Sequence, residues 1–287
     1  MLETVTERGI LKVDTMAAKE VAFAIDLAAN EGWNPGVHDG PAFHAADPEG
    51  FLIGRIDGRP VGCISAVSYE GRFGFIGLYI VLPEHRGKGY GIEMWRAAMK
   101  RLAGHNVGLD GVKEQQENYR RSGFRYAYSN IRFEMSAPAS ASSSAGIVDT
   151  ATVPFAQLQA YDRALFPAGR EPFLRRWIAQ PDAVALAYVS GGEVLGYGVI
   201  RKAHVGRKIG PLFADDPEIA EQLFLALYAH RDGEPVYLDV PDVNAAGMRL
   251  AQKYRMQSVF GTARMYTGDL PDVDVGRVYG VTTFELG

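Results

Sequence analysis

The hydrophobic pattern changes period several times along the chain, and one change is sharper than the rest. Positions 75–82 form an unbroken apolar run, FIGLYIVL, without helical spacing. Such a run predicts a strand buried on both faces. Pro83 ends it, and RGKGYG follows at 86–91, three glycines and two cations in six residues. From there the period becomes helical: Ile92, Met94, Trp95, Met99 and Leu102 fall on one side and the charged residues on the other. The stretch reads as strand, glycine loop, helix.

The preceding pattern gives a strand at 9–13 and a helix at 17–31, with Val21, Ala24, Ile25 and Ala28 on its apolar face. Asp14 or Thr15 is placed to cap that helix and Glu20 to complete a capping box. EGWNPGVHDGPAFHAADPEG is a loop with at most one short helix. Runs at 50–57 and 59–70 form a hairpin around Asp57-Gly58. Beyond the helix at 91–103 come a strand at 107–112, a polar helix at 113–124 closed by Gly123, and the last strands of this half in 126–135. SAPASASSSAG, 136–146, is a linker by composition. After it the order repeats. VALAYVS and EVLGYGVIRKA form a hairpin, and RKIGPLFADDPEIAEQLFLALYAH copies strand–turn–helix with ADDPE in place of the glycine loop. Leu109-Asp110 matches Leu238-Asp239, and Tyr119 matches Tyr254. This is an internal duplication in which the acidic turn of the second copy would repel phosphate. The closing YGVTTFELG is one more strand-like run.

Composition narrows the function classes. The 287 residues suffice for about two domains, and 47% apolar with 22% charged is ordinary for a soluble globular protein. A formal charge of -4 with no long basic run disfavours nucleic acid and anionic membrane as partners. The single cysteine, Cys63, sits in the apolar run VGCISAV and reads as a core residue. The six histidines have no metal-binding spacing, so no metal is expected. No secretory segment or membrane-length apolar run is seen, which predicts a cytoplasmic protein.

A glycine loop opening a helix is an anion site, because free amides and the positive end of the helix dipole point at the ligand. The P-loop and Rossmann spacings are both absent. What is present is R-x-x-G-x-G: Arg86, Gly89 and Gly91. With the strand, Pro83 and the amphipathic helix around it, this resembles the pyrophosphate loop of the GCN5-related N-acetyltransferases (GNAT), and the order of elements over about 4–135 is similar to theirs. The whole chain resembles bacterial two-domain GNAT proteins of the YitH type, which carry segments like EGWNPG, PEHRGKGYG and the terminal YGVT-ELG.

The resemblance implies an α+β protein of tandem GNAT folds, each a mixed, mostly antiparallel sheet flanked by helices. It implies an acetyltransferase domain at 1–135, a linker at 136–146 and a degenerate second copy at 147–287. It further implies that acetyl-CoA is the cosubstrate. Backbone of Tyr79, Ile80 and Val81 would hold its acetyl carbonyl and pantetheine arm; Arg86, Gly87, Lys88, Gly89, Tyr90 and Gly91 would hold the pyrophosphate. Tyr119, before the G-F that closes its helix, would protonate the leaving thiolate, since an ordinary tyrosine pKa near 10 exceeds a thiol's near 8.5. The asparagine usual seven residues earlier is Val112 here, and the usual basic glutamate is Phe75. Glu31, His38, Asp39, Glu70 and His85 remain open as bases. The aromatic and ionisable mixture of Glu31, Trp33, Asn34, His38, Asp39 and Phe43, with Tyr69, is the expected wall for a small-molecule amine. A protein or peptide acceptor and a non-catalytic acyl-CoA sensor are the alternatives; a homodimer is left open.

Overall fold

A computed structural model describes residues 2–6, 9–137 and 146–287 of the chain, with side chains described from Ile10 onward. Most of the linker expected at 136–146 lies outside the described residues. The strands are β1 Leu2–Thr6, β2 Gly9–Thr15, β3 Phe51–Ile56, β4 Arg59–Tyr69, β5 Phe73–Val81, β6 Asn106–Val112 and β7 Arg125–Met135, then β8 Ile147–Asp149, β9 Val184–Ser190, β10 Glu193–Lys202, β11 Arg207–Ala214, β12 Val236–Pro241, β13 Gln257–Tyr266 and β14 Val278–Gly280. The helices are α1 Val21–Asn30, α2 Asp39–Ala46, α3 Tyr90–Arg101, α4 Gln116–Arg121, α5 Phe155–Ala164, α6 Glu171–Trp177, α7 Pro217–Tyr228 and α8 Ala245–Lys253. The protein is α+β, as the resemblance implies.

One sheet runs through the molecule in the order β1-β2-β3-β4-β5-β6-β13-β7-β12-β11-β10-β9-β8, with β14 joined to β11. The two halves exchange a strand. β13 of the second half lies between β6 and β7 of the first, and β7 pairs onward with β12 of the second. The strands expected within 126–135 are therefore a single strand, and its missing neighbour arrives from 257–266. Each exchanged strand carries an arginine to the matched Leu-Asp of the other half. Arg264 on β13 pairs with Asp110, and Arg132 on β7 pairs with Asp239. The side chains of both pairs are buried. Such pairs add little net stability, but stranding one partner costs about 3–5 kcal/mol, so each penalises a slipped register.

Local expectations hold with small shifts. The apolar face of α1 is buried as predicted. Its first turn is a 3-10 segment at Ala18–Glu20, where the Ala17 N–H donates to the Glu20 carboxylate at 2.9 Å; neither Asp14 nor Thr15 is the cap. On α3 the buried face is Tyr90, Met94, Trp95 and Ala98, and Ile92 is exposed. Gly123, with φ +89°, ends α4 as expected. Cys63 is wholly buried, and burial pushes its thiol up to about 12. No helix among the described residues is long and apolar enough to cross a membrane.

Candidate active site

The apolar strand β5 does not stay paired along its length. It runs parallel to β6 only over 73–76 against 106–109, while β6 continues beside β13 as far as Val112. On its other side the pairing with β4 slips between Cys63 and Ser65, and Leu78 takes φ +47°, a left-handed bulge residue. Positions 77–81 of β5 thus diverge from 110–112 of β6, and the gap opens into a cavity of about 390 Å³.

The glycine loop stands at the mouth of this gap. Gly87 and Gly89 have φ +71° and +84°, which disfavour a side chain, and a Cβ on either would meet no atom within 4 Å. Gly89 is the N-cap of α3 and no side chain caps the helix. Its first amides are left for a ligand. Arg86 Nε donates to the Val81 carbonyl at 2.9 Å, and its guanidinium pairs with Glu31 on the cavity wall. Lys88 Nζ donates to the Glu84 carbonyl.

Two tyrosines flank Trp95, with ring centroids 5.5 Å away for Tyr79 and 5.6 Å for Tyr119. Both tyrosines line the cavity. Gly111 makes room for Tyr119, since a Cβ there would stand 2.3 Å from its ring. Burial, with Tyr79 nearby, pushes the Tyr119 hydroxyl up to about 12; burial raises Tyr79 as well. A tyrosine in this setting holds its proton until a strong base forms beside it. A desolvated thiolate is such a base, because burial raises its proton affinity too.

At the far end the wall is aromatic: Trp33, Phe260 on β13 and Phe284 of the C-terminal segment. Arg132 lies against both phenylalanines, 5.6 Å from the Phe260 centroid and 4.7 Å from that of Phe284, and donates to the Trp33 carbonyl at 2.6 Å. Three acidic residues line the cavity, Glu31, Asp110 and Glu285. No local pattern in the sequence singles out Glu285. The terminal YGVTTFELG run carried the signal, but nothing local tells that the second half's last residues enter the first half's cavity.

Glu31 and Trp33 of the expected acceptor wall do line the cavity. The others do not. Asn34 clasps the backbone of Val205 through both its amide atoms. His38 contacts Asp182 at 3.2 Å. Asp39 is fully buried, accepting from Arg201 Nε at 2.9 Å and from the Gly36 N–H. Phe43 stacks between Phe51 and Trp177 in the core. Tyr69 is buried with its hydroxyl donating to the Leu286 carbonyl at 3.1 Å. These side chains join the halves, which favours burial of the same aromatic and charged types that a ligand wall uses. The Tyr90 side chain is likewise core, so only its backbone faces the loop. Of the other bases left open, Glu70 pairs with Arg163, and His85 lies against the Tyr90 ring.

A parallel strand pair that opens beyond a bulge, toward R-x-x-G-x-G at an uncapped helix start, is the build of a GNAT acyltransferase. Sequence comparison agrees twice over: residues 22–124 match the Acetyltransferase (GNAT) family and 158–280 match an Acetyltransferase (GNAT) domain. The chain belongs to the GNAT superfamily as a two-domain member and is a transferase of acyl groups. It is 29% identical over 263 residues to the holothin acyltransferase of Pseudoalteromonas sp. (strain SANK 73390), spanning 91% of this chain and 90% of that one. It is 27% identical to the uncharacterized N-acetyltransferase YitH of Bacillus subtilis, over 67% of this chain and 68% of the other. In fold it is similar to a Pyrococcus horikoshii structure assigned as an acetyltransferase, with TM-score 0.83 at 21% identity over 100% and 99% of the chains. A tandem GNAT protein from the clavulanic acid biosynthesis pathway superposes with TM-score 0.63 at 14% identity over 91% and 99%.

Proposed function

We propose that the protein is a cytoplasmic N-acetyltransferase that moves the acetyl group of acetyl-CoA to an amine of a small molecule, by direct attack within a ternary complex. The observation that carries this is the gap between β5 and β6, which runs from the uncapped start of α3 to the aromatic end of the cavity. The pantetheine arm lies along 77–81 as a strand would, using backbone groups that β6 leaves unpaired. The Tyr79 N–H donates to the acetyl carbonyl, and Val81 holds the arm. Amides over 87–91, with Arg86 and Lys88, hold the pyrophosphate. As the amine attacks, charge grows on the carbonyl oxygen, where one fixed donor contributes roughly 3 kcal/mol. The carbon–sulfur bond breaks and Tyr119 gives its proton to sulfur.

A small acceptor fits better than a protein. The cavity of about 390 Å³ lies in the range of small-molecule sites, roughly 300–1,000 Å³, and its acceptor end is walled by aromatics. The relative named for acylating holothin supports the same class. Acetyl-CoA turnover across a panel of small amines, beside calorimetry with CoA, tests the reading. Micromolar CoA binding with turnover on at least one amine is the expected result. Binding without any turnover would favour a sensor instead, and no binding would overturn both.

A further inference from the structure

Two of the three carboxylates on the cavity wall are already engaged. Glu31 pairs with Arg86. Asp110 accepts from Arg264 at 2.9 and 2.6 Å and from Asn130 Nδ2 at 2.8 Å. Glu285 differs. It is 3% exposed, and the hydrogen bond its carboxylate accepts comes from the Thr283 hydroxyl. Among the described residues no cation stands within salt-bridge distance of it, so most of its acceptor capacity is unused.

Its position is fixed from both ends. The preceding residue pair, Val278 and Gly280, is held by β11 in the second half, and the Val281 N–H donates to the Asp239 carbonyl at 2.8 Å. The following residue, Leu286, is held by Tyr69. In between, the Glu285 backbone presses on β5 so closely that a Cβ on Gly77 would stand 2.0 Å from its carbonyl oxygen. Gly77 is the residue at which β5 leaves β6. Glu285 therefore sits where the thioester end of the gap meets the aromatic acceptor wall.

We propose that Glu285 takes the proton from the acceptor's ammonium group, so that the last residues of the second half complete the active site of the first. This rests on the transferase reading above. The ammonium N–H bond breaks and its proton passes to the carboxylate, directly or through one water, freeing the nitrogen lone pair. Nitrogen bonds to the acetyl carbon, the carbon–sulfur bond breaks, and sulfur takes the Tyr119 proton. The second nitrogen proton returns through water to the tyrosine, and Glu285 releases its own to solvent. One proton leaves per turnover.

The surroundings suit the task. Burial raises the Glu285 pKa, with Asp39 adding to the rise and Lys208, Arg132 and Arg201 opposing it. Of these cations, Arg132 is committed to Asp239 and Arg201 to Asp39. Lys208 Nζ, on β11, is buried without a hydrogen-bond partner, 3.7 Å from Asp239, and burial beside Arg132 pushes it down to about 8. The cavity's other ionisable groups are Glu31, Arg86, Asp110, Tyr79 and Tyr119. A carboxyl with a raised pKa is a better base toward an ammonium than an ordinary one, provided the pH stays above it. Activity should thus fall on acidification at a pH above the ordinary glutamate value near 4.3.

The test uses the full chain, acetyl-CoA, and two probes: phenethylamine, which must lose a proton before attack, and aniline, which is already neutral. Glu285→Gln should lower kcat/KM for phenethylamine roughly 10²-fold or more and abolish the acid limb, within the usual range for a lost base. Transfer to aniline should change far less, and CoA affinity should stay the same. Glu285→Asp should restore part of the rate, and Lys208→Met should move the limb to higher pH by removing a nearby positive charge. Slow hydrolysis of acetyl-CoA by water should carry the same limb and needs no amine. An unchanged pH profile in Glu285→Gln, with phenethylamine or with water as the acceptor, overturns the proposal. Equal loss for both amines together with lost CoA binding overturns it too, because that marks a structural role. A wild-type protein that does not bind CoA would instead sink the transferase reading first.

Discussion

The two halves open the same gap and then treat it in opposite ways. In the first, β5 and β6 part after Ile76 and Leu109, and the space beyond is cavity. In the second, β11 and β12 part after Ile209 and Leu238, the matched positions, and β14 enters the space. It pairs Leu212 with Gly280 and Phe213 with Val278, so β14 lies where the first half leaves room for a ligand. The helix starts differ in the same sense. Gly89 caps α3 with nothing, whereas the Asp216 side chain accepts the Ile219 N–H at 2.8 Å and Pro217 fills the first turn of α7. An anion site is a helix start whose amides have no internal partner; the second half has supplied the partner. With its own gap filled, the second half contributes parts to the first: β13, Phe260, Phe284 and Glu285.

Breaking the first half's loop should have the largest effect. Gly89→Glu adds a side chain at φ +84° and a negative charge where the proposed function seats pyrophosphate. CoA affinity should fall by more than about 100-fold, the scale on which a few kcal/mol of lost contact reads. Calorimetry on the wild type should give one CoA per chain. Two per chain would show the second gap to be open after all.

Tyr119→Phe comes next. It keeps the ring against Trp95 and removes the hydroxyl. If the hydroxyl acts as the proposed acid, turnover should drop roughly 10²-fold with CoA affinity nearly unchanged, because such an acid works in the transition state. Near-normal turnover would mean that water protonates the thiolate, and equal loss of affinity would make Tyr119 a binding residue.

The matched tyrosine in the second half, Tyr254, donates to Glu221 on α7 instead of facing a gap. Gly280→Ala probes how tightly that gap is filled. Its Cβ would stand 2.6 Å from Leu238 Cδ1, so β14 or the core must shift. A loss of about 1–3 kcal/mol, the usual range for overpacking, is expected in denaturant unfolding. A neutral result would mean that β14 is loosely seated.

How much of this is legible in the sequence follows the range of each interaction. The strand, the glycine loop and α3 are set by neighbours a few residues apart, so pattern and spacing suffice. The Leu-Asp repeat was visible too, but its meaning was not: Asp110 and Asp239 each wait for an arginine more than a hundred residues away or in the other half. The strand exchange is invisible to any local period, because β7 and β13 look the same whichever sheet they join. The loop at 31–50 misled for a related reason. Its composition is that of a ligand wall, and two of its residues line the cavity, yet Asp39 and Phe43 point into the contact with α6 and β10, where Trp177 and Arg201 receive them. Composition gives the kinds of contact a loop can make; the packing of the halves chooses which.

The smallest effect should come from the second helix start, and it sharpens the contrast most directly. Asp216→Ala removes the cap of α7 without touching the core, since only the Ile219 amide loses its partner. Removing such a cap costs typically about 1 kcal/mol. The exposed amides would then resemble those of α3 in having no side-chain partner. They would still lack the left-handed glycines, Arg86 and an open gap beyond. If an uncapped helix start were enough to bind pyrophosphate, this variant would gain a second CoA site. If the loop and the gap are needed together, calorimetry should still read one CoA per chain, and only the unfolding midpoint should move. The second outcome is expected, because β14 stays in place whatever is done to the cap.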